Sequence, residues 1–181
     1  MTDSRVRRVM EPRISISSLV QPYENAEKVV QSINVFFPDW KAEDIPEKEN
    51  FPTKSNSVII SGYSESLEHF LRQIRIQRIL DTALDVMCIN LESDSTVFDI
   101  SRQAAIAGKV SFVLDNYSLG GKISISLSGK ELDLWLEQQT WHEGRNEVPR
   151  YPGDEFSMRN DGKPTEWFDK RGRPTINQDE D

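Results

Sequence analysis

LEHFLRQIRIQRILDTALDVM, residues 67–87, is the longest helical pattern in this chain, and FDISRQAAIAGKVSF follows it at residues 98–112. The helical pattern carries two apolar stripes. At about 100° per residue, the centres of these stripes point in nearly opposite directions. The pattern predicts either a break near Arg75 or a helix covered on both sides, by its own sheet and by a second element such as the C-terminal helix or another subunit. The first stripe comprises Leu67, Phe70, Leu71 and Ile74, and the second comprises Ile76, Ile79, Leu80, Ala83, Leu84 and Met87.

The same two stretches hold the one dense set of basic side chains within the foldable part of an acidic chain. The candidate RNA- or phosphate-binding residues are Arg72, Arg75, Arg78, Arg102, Gln103 and Lys109. The planar arginine fork suits phosphate oxygens. Arginines three residues apart drift by about 60° at each step, which predicts a slanting band rather than a stripe. The alternative is a solvated helix flank with local ion pairs, because Glu68 precedes Arg72 by four residues and Asp81 follows Arg78 by three.

The composition of the whole chain limits its partners and its compartment. Its 181 residues carry a formal net charge of −8, which argues against bulk attraction to nucleic acid or anionic membranes but allows a local basic surface. The single cysteine, Cys88, cannot form an internal disulfide, and we expect a buried, reduced thiol. No apolar run is long enough to span a bilayer, and the N-terminus lacks a signal-peptide pattern. We therefore expect a soluble cytoplasmic protein with no membrane partner.

Three zones of the chain differ in composition. Residues 1–12 form a polar arm with three arginines, residues 13–141 hold nearly all the periodic apolar pattern, and residues 142–181 are polar and punctuated by glycine and proline. We predict one folded domain over residues 13–141. The segment after it buries too little apolar surface to offset its ordering entropy, so a flexible or extended tail is predicted there.

Within residues 13–141, the remaining patterns predict a sheet with interleaved helices. Strands are predicted around 14–16, 57–63 and 96–100, a weak edge strand in 40–51, and helices at 24–36 and 132–140. The alternating runs 110–114 and 123–127 predict a hairpin with its turn at 115–121. Residues 102–109 are interpreted as a loop or turn between strands. This order predicts an α+β domain with a mainly antiparallel sheet and helices packed on one face.

Several strings, in their order along the chain, resemble an uncharacterised archaeal protein family. They are Asn25–Val30 leading to Phe37 and Pro38, LRQIRIQRILD at 71–81, RQAAIAGKVSF at 102–112, and Leu136–Thr140. The resemblance covers roughly residues 13–141 and leaves out both termini. It implies a fold like that of ribosomal protein L five. The family is often described as RNA-binding, so the resemblance also implies a nucleic-acid ligand.

The chain departs from that family pattern in two places. A basic residue after Ala83 is replaced by Leu84 and Asp85, which removes positive charge from the candidate surface. An Asn-Lys pair before Gln103 is replaced by Ser101 and Arg102, which keeps a charge but changes its geometry.

Patterns that would indicate catalysis or a bound cofactor are lacking in the sequence. His69, His142 and the single cysteine make no zinc-binding motif, and the chain has no phosphate-binding loop or nucleophile elbow. Asp81 and Asp85 lie one helical turn apart, but a solvated pair is favoured over a cation site or an acid/base pair. We therefore expect a protein that is not an enzyme and that uses no metal or cofactor.

The leading hypothesis is a protein that binds RNA or a ribonucleoprotein particle through electrostatics and shape. Tyr63, Phe98 and Phe112 would add stacking faces, although aromatic residues on strands more often fill the core. The alternative is an interaction module that self-associates as a homodimer through the long helix and has no nucleic-acid ligand. The doubled apolar stripe motivates that alternative. A small-molecule site is a third reading, which no sequence feature predicts.

Overall fold

The structure is a computed structural model that describes residues 11–46, 56–115 and 118–153. Along these ranges the elements alternate between strands and helices. They are β1 (Arg13–Val20), α1 (Ala26–Asn34), β2 (Lys41–Ala42), β3 (Val58–Ser64), α2 (Glu68–Gln77), α3 (Leu80–Ile89), β4 (Ser95–Ser101), α4 (Arg102–Ile106), β5 (Phe112–Val113), β6 (Lys122–Ser128), α5 (Leu132–Gln139) and a 3-10 turn at Glu143–Asn146.

The strands form one six-stranded sheet in the order β2-β3-β1-β6-β4-β5, and every neighbouring pair is antiparallel. Successive side chains of a strand point to opposite faces, so alternating apolar residues all reach one side. That inner face carries fully buried residues from four strands. They include Ile16 of β1, Ile60 of β3, Ile100 of β4, and Ile123, Ile125 and Leu127 of β6. The α+β prediction with a mainly antiparallel sheet is therefore confirmed.

Phe70 of α2 lies at the centre of an aromatic cluster that joins the helices to the sheet. Its ring centroid lies 5.8 Å from that of Phe98 and 6.3 Å from those of Phe37 and Phe112. Phe98 is buried in the core, and Phe112 is half-buried and packs against it. Tyr63 points away from this cluster and is exposed.

The long helical pattern breaks at Arg78, which adopts a left-handed conformation with φ of 58°. Its N–H bonds the carbonyl of Arg75 at 3.1 Å, and the N–H of Ile79 bonds the carbonyl of Ile74 at 3.1 Å. These two bonds form the Schellman arrangement that ends many helices. The break turns the later part of the second apolar stripe to the core, where Ala83, Leu84 and Met87 are buried, whereas Ile76 stays 67% exposed. The break accounts for most of the doubled stripe within one chain, and a dimer through this helix stays a prediction.

Replacing Arg78 with glycine is expected to raise the free energy of unfolding by about 0.5 to 1 kcal/mol. A left-handed residue with a Cβ costs about 1–2 kcal/mol, and the extra freedom of glycine in the unfolded chain offsets part of that gain. Urea denaturation measures the change. Arg72, which lies in the regular part of α2, provides the control. Arg72→Gly should lower stability by about 1 kcal/mol, so equal effects at both positions would contradict this account of the break.

The predicted hairpin between residues 110–114 and 123–127 is wrong. β6 lies between β1 and β4, with Ser124 opposite both Ser17 and Asp99, and β5 pairs with the outer edge of β4. The alternating pattern identified β6 as a strand but could not identify its neighbours. The three inner residues of β6 are fully buried, as expected for a central strand. Leu114, which follows β5, is exposed, as expected at the edge of the sheet.

The stretch interpreted as a loop at 102–109 contains the short helix α4. The Ser101 hydroxyl accepts a hydrogen bond from the Ala104 N–H at 3.4 Å and caps its first turn. Gly108, with φ of 69°, ends it, and the Lys109 N–H bonds the Ala104 carbonyl at 2.9 Å. α4 has only five residues, which are too few for a helical period to be recognised in the sequence.

No helix within the described ranges is long and apolar enough to cross a membrane. Cys88 is buried on α3, as its place in an apolar pattern predicts.

Candidate functional site

Four of the six candidate residues lie exposed around α2 and its break. Arg72 and Arg75 project from α2, Arg78 occupies the break, and Lys109 lies on the segment that follows α4. We call these four residues the α2 cationic surface.

The side chain of Gln77 connects α2 to the segment that carries Lys109. Its amide nitrogen donates to the Val110 carbonyl at 3.0 Å, and its amide oxygen accepts from the Val110 N–H at 2.7 Å. Because Gln77 adjoins Arg78 and Val110 adjoins Lys109, these bonds hold Arg78 and Lys109 on neighbouring segments. The two cations also lie by the C-terminal end of α2, where helix carbonyls favour positive charge.

Arg72 and Arg75 already make one contact each within the chain. Arg72 forms an ion pair with Glu68 at 2.8 Å, with more than half of each side chain exposed to solvent. Arg75 donates to the carbonyl of Gln139 at 2.9 Å. A guanidinium has five N–H donors, so each arginine keeps donors for a second ligand. Arg75 and Glu68 also line a shallow groove of about 190 Å³ beside Trp135.

Arg102 does not belong to this surface, which corrects its assignment as a phosphate-binding candidate. Its side chain is only 4% exposed and donates to the carbonyls of Gly120 at 2.8 Å and Leu19 at 3.1 Å. It also forms an ion pair with Glu24 at 2.6 Å. These contacts join the end of β1, the start of α1 and the turn before β6. We call this arrangement the Arg102 clasp.

Gly121 shows how closely the chain surrounds the Arg102 clasp. A Cβ at this position would lie 1.8 Å from the Arg102 Nη2 atom, and φ is 80°, so glycine is required on both counts. Gln103, also a candidate, is exposed on α4 and its side chain lies against Gly120. The structure therefore places Gln103 beside the clasp.

Residues 142–153 follow the predicted end of the domain at residue 141, and two of their arginines contact α3. Arg145 is buried, and its Nε atom donates to Asp81 at 2.9 Å. Arg150 donates from Nε to Asp85 at 3.0 Å and pairs with the same carboxylate through Nη2. Asp81 and Asp85, predicted to be a solvated pair, are instead the α3 anchors of this segment. Residues 154–181, the rest of the predicted tail, lie outside the described residues, as does the predicted arm except for Glu11 and Pro12.

Two carboxyl groups in the described ranges have a lowered pKa, and both bind neighbouring segments. Burial raises the pKa of Asp81, but hydrogen bonds from Arg145 and His142 outweigh that effect. Burial likewise raises the pKa of Asp39, and donors from the Glu65 backbone and the Ser64 hydroxyl outweigh it. A lowered pKa makes a carboxylate a weak base, which favours a structural role for both.

The described ranges hold no group of three or more histidine, cysteine, aspartate or glutamate side chains that could bind a metal ion. The α2 cationic surface presents exposed guanidinium and ammonium groups, which can form ion pairs and hydrogen bonds.

Comparison with known proteins gives consistent matches to one family. No protein-family model matches the chain. A UPF0201 protein from Sulfurisphaera tokodaii is 36% identical over 132 residues, which cover 71% of this chain and 88% of that protein. A UPF0201 protein from Metallosphaera sedula is 31% identical over 132 residues, which cover 71% of this chain and 89% of that protein.

A solved structure supports the same relationship. The crystal structure of a UPF0201 protein from Methanococcus jannaschii is 27% identical, with a TM-score of 0.56 and coverage of 71% of this chain and 99% of that chain. The likeness to ribosomal protein L five stays a prediction, because the matched names describe only the family. The resemblance to an uncharacterised archaeal family is confirmed, and the chain belongs to the UPF0201 family.

Proposed function

We propose that this protein binds RNA through the α2 cationic surface, without a catalytic step. The observation that carries the proposal is the exposure of Arg72 and Arg75 along α2, of Arg78 at its end, and of Lys109 on the segment that Gln77 ties to that end. Phosphate is the ligand that such a set of guanidinium and ammonium groups suits best.

The existing contacts of the surface are compatible with a phosphate ligand. The exposed pair between Arg72 and Glu68 contributes only about 0.2–0.5 kcal/mol, so a phosphate can replace Glu68 at little cost. Arg75 is held by a neutral carbonyl of Gln139 and keeps its charge uncompensated there. Because the whole chain carries a net charge of −8, binding should depend on this local surface and fall steeply with salt.

A salt series tests the proposal on the full chain with a labelled single-stranded oligouridylate. Between about 50 and about 200 mM salt, the logarithm of the wild-type affinity should fall linearly with the logarithm of the salt concentration. The triple variant Arg72→Gln, Arg75→Gln and Arg78→Gln should flatten that slope by about 2, since each phosphate contact to a single strand contributes about 0.7.

The matched control removes three exposed cations that lie elsewhere: Lys28→Gln, Lys41→Gln and Lys130→Gln. It has the same net charge as the test variant, so a general charge effect would appear equally in both. If the two triple variants bind alike, or if the wild type binds without salt dependence, the α2 cationic surface is not an RNA-binding site.

A further inference from the structure

The face of the sheet opposite the helices is open across all four long strands. No outward-pointing residue of β1, β3, β4 or β6 is buried, whereas the inward-pointing residues between them largely are. Within the described residues, the helices pack on the inner face only, so this outer face has no cover.

Serine dominates the centre of the outer face. Ser17 of β1 lies opposite Ser61 of β3 on one side and Ser124 of β6 on the other, and Ser15 lies opposite Ser126. These five small side chains make a flat block over three adjacent strands. Larger apolar residues flank the block: Ile59 is 67% exposed and Val97 is 45% exposed.

The outer face carries few charged side chains. Lys122 forms an ion pair with Asp99 at 2.6 Å, and the Ser124 hydroxyl donates to the same carboxylate at 2.6 Å. Arg13 lies at a corner, with its guanidinium 4.6 Å from the centroid of the Tyr63 ring. Lys41 of β2, which lies opposite Tyr63, adds a third cation at the sheet edge, so this face lacks the excess of acidic groups that gives the whole chain a net charge of −8.

This charge pattern selects among the occupants that a flat sheet face can take. An RNA ligand needs a row of free cations, and the central block of this face offers none. A second copy of the same chain has the opposite requirement, because two acidic molecules repel least where neither carries an excess of acidic groups. A two-fold axis through the serine block would place this block on the serine block of its partner.

The size of the face also suits a second copy. Four strands at about 4.8 Å spacing, with about seven residues each at about 3.3 Å, project on the order of 450 Å² per molecule. Two such faces, with the relief of their side chains, approach the roughly 1,000 Å² that a specific interface requires. We propose that two copies of this chain pack face to face through the outer surface of the sheet, with the serine block at the centre.

Sedimentation velocity on the full chain over a micromolar concentration series tests this proposal. The wild type should sediment as a dimer that dissociates on dilution. Ser17→Lys combined with Ser126→Lys should give a monomer, because two charges would face their copies at the centre of the interface. Val97→Lys, on another strand of the same face, supplies a second disrupting variant should the first fold poorly. Circular dichroism confirms that each variant is folded.

Gln31→Lys is the charge-matched control for Val97→Lys, since Gln31 is exposed on α1, on the other side of the sheet. It should leave the dimer intact. A wild type that stays monomeric at every concentration overturns the proposal, and so does a folded face variant that stays dimeric. If the wild type is monomeric and Ser17→Lys strengthens oligouridylate binding, the face takes RNA instead of a second copy. The RNA experiment on α2 uses different residues, so the two proposals can fail separately.

Discussion

Replacing Glu24 with alanine is expected to lower the free energy of unfolding by about 3 kcal/mol, the lower end of the range for breaking a buried ion pair. The change leaves the guanidinium of Arg102 without its counter-charge, and that side chain is only 4% exposed. Two carbonyls still accept hydrogen bonds from it, but neither neutralises its charge. The second carboxylate oxygen of Glu24 also accepts from the Gln21 N–H at 2.9 Å, and this bond is lost as well. Urea denaturation at neutral pH measures the change.

The exposed pair of Arg72 and Glu68 provides a control of the same chemistry. Glu68→Ala should cost about 0.5 kcal/mol or less, because solvent screens both partners. Arg102→Met should cost less than Glu24→Ala, since it removes the buried charge itself. Equal effects of Glu24→Ala and Glu68→Ala would show that the Arg102 clasp contributes no more than a surface ion pair.

Replacing Asp81 with alanine is expected to cost about 2 kcal/mol at pH 7, because it leaves the buried Arg145 without its carboxylate partner. The value lies below that of a fully buried pair because Asp81 itself is 46% exposed. The pKa of Asp81 is lower in the folded protein than the ordinary value near 3.9. Its contribution is therefore fully present above that ordinary value and is lost as the pH falls through the lower folded pKa.

Denaturation of the wild type and of Asp81→Ala over a pH series tests both statements. The difference between their free energies of unfolding should persist from pH 7 down to the ordinary carboxyl pKa and should then shrink. Asp133→Ala is the control, since Asp133 is an exposed acid in the first turn of α5. A difference that persists unchanged in strong acid would mean that the ion pair is not what Asp81 contributes.

Local patterns predicted most of the elements, because strands and helices impose their own periods on the apolar residues. β1, β3, β4, β6, α1 and α5 lie where alternation or helical spacing placed them. The long helix was predicted to break near Arg75 or to be covered on both sides, and the break lies three residues later, at Arg78. The reversal of the apolar face marks a break, but a left-handed arginine has no sequence signature that fixes the residue.

The contacts of the buried arginines could not be predicted, because their partners lie far away in the chain. Glu24 is 78 residues from Arg102, and Asp81 is 64 residues from Arg145. An arginine in a polar context looks the same whether its guanidinium faces water or a carboxylate across the fold. The spacing of Asp81 and Asp85 on one helix turn, matched by two arginines five residues apart, was the one available signal for the segment at 142–153.

The strand order also has a consequence for how the chain reaches its fold. β1 is the first of the six strands to be synthesised, yet it lies between β3 and β6. At its β6 edge, the Ser18 hydroxyl donates to the carbonyl of Lys122, which lies 104 residues later in the chain. During synthesis, one edge of β1 must therefore wait unpaired until almost the whole domain has emerged. Such long-range pairing slows folding, and an unpaired apolar strand edge invites contact with other chains. Chain growth, rather than helix formation, should set the time at which this sheet closes.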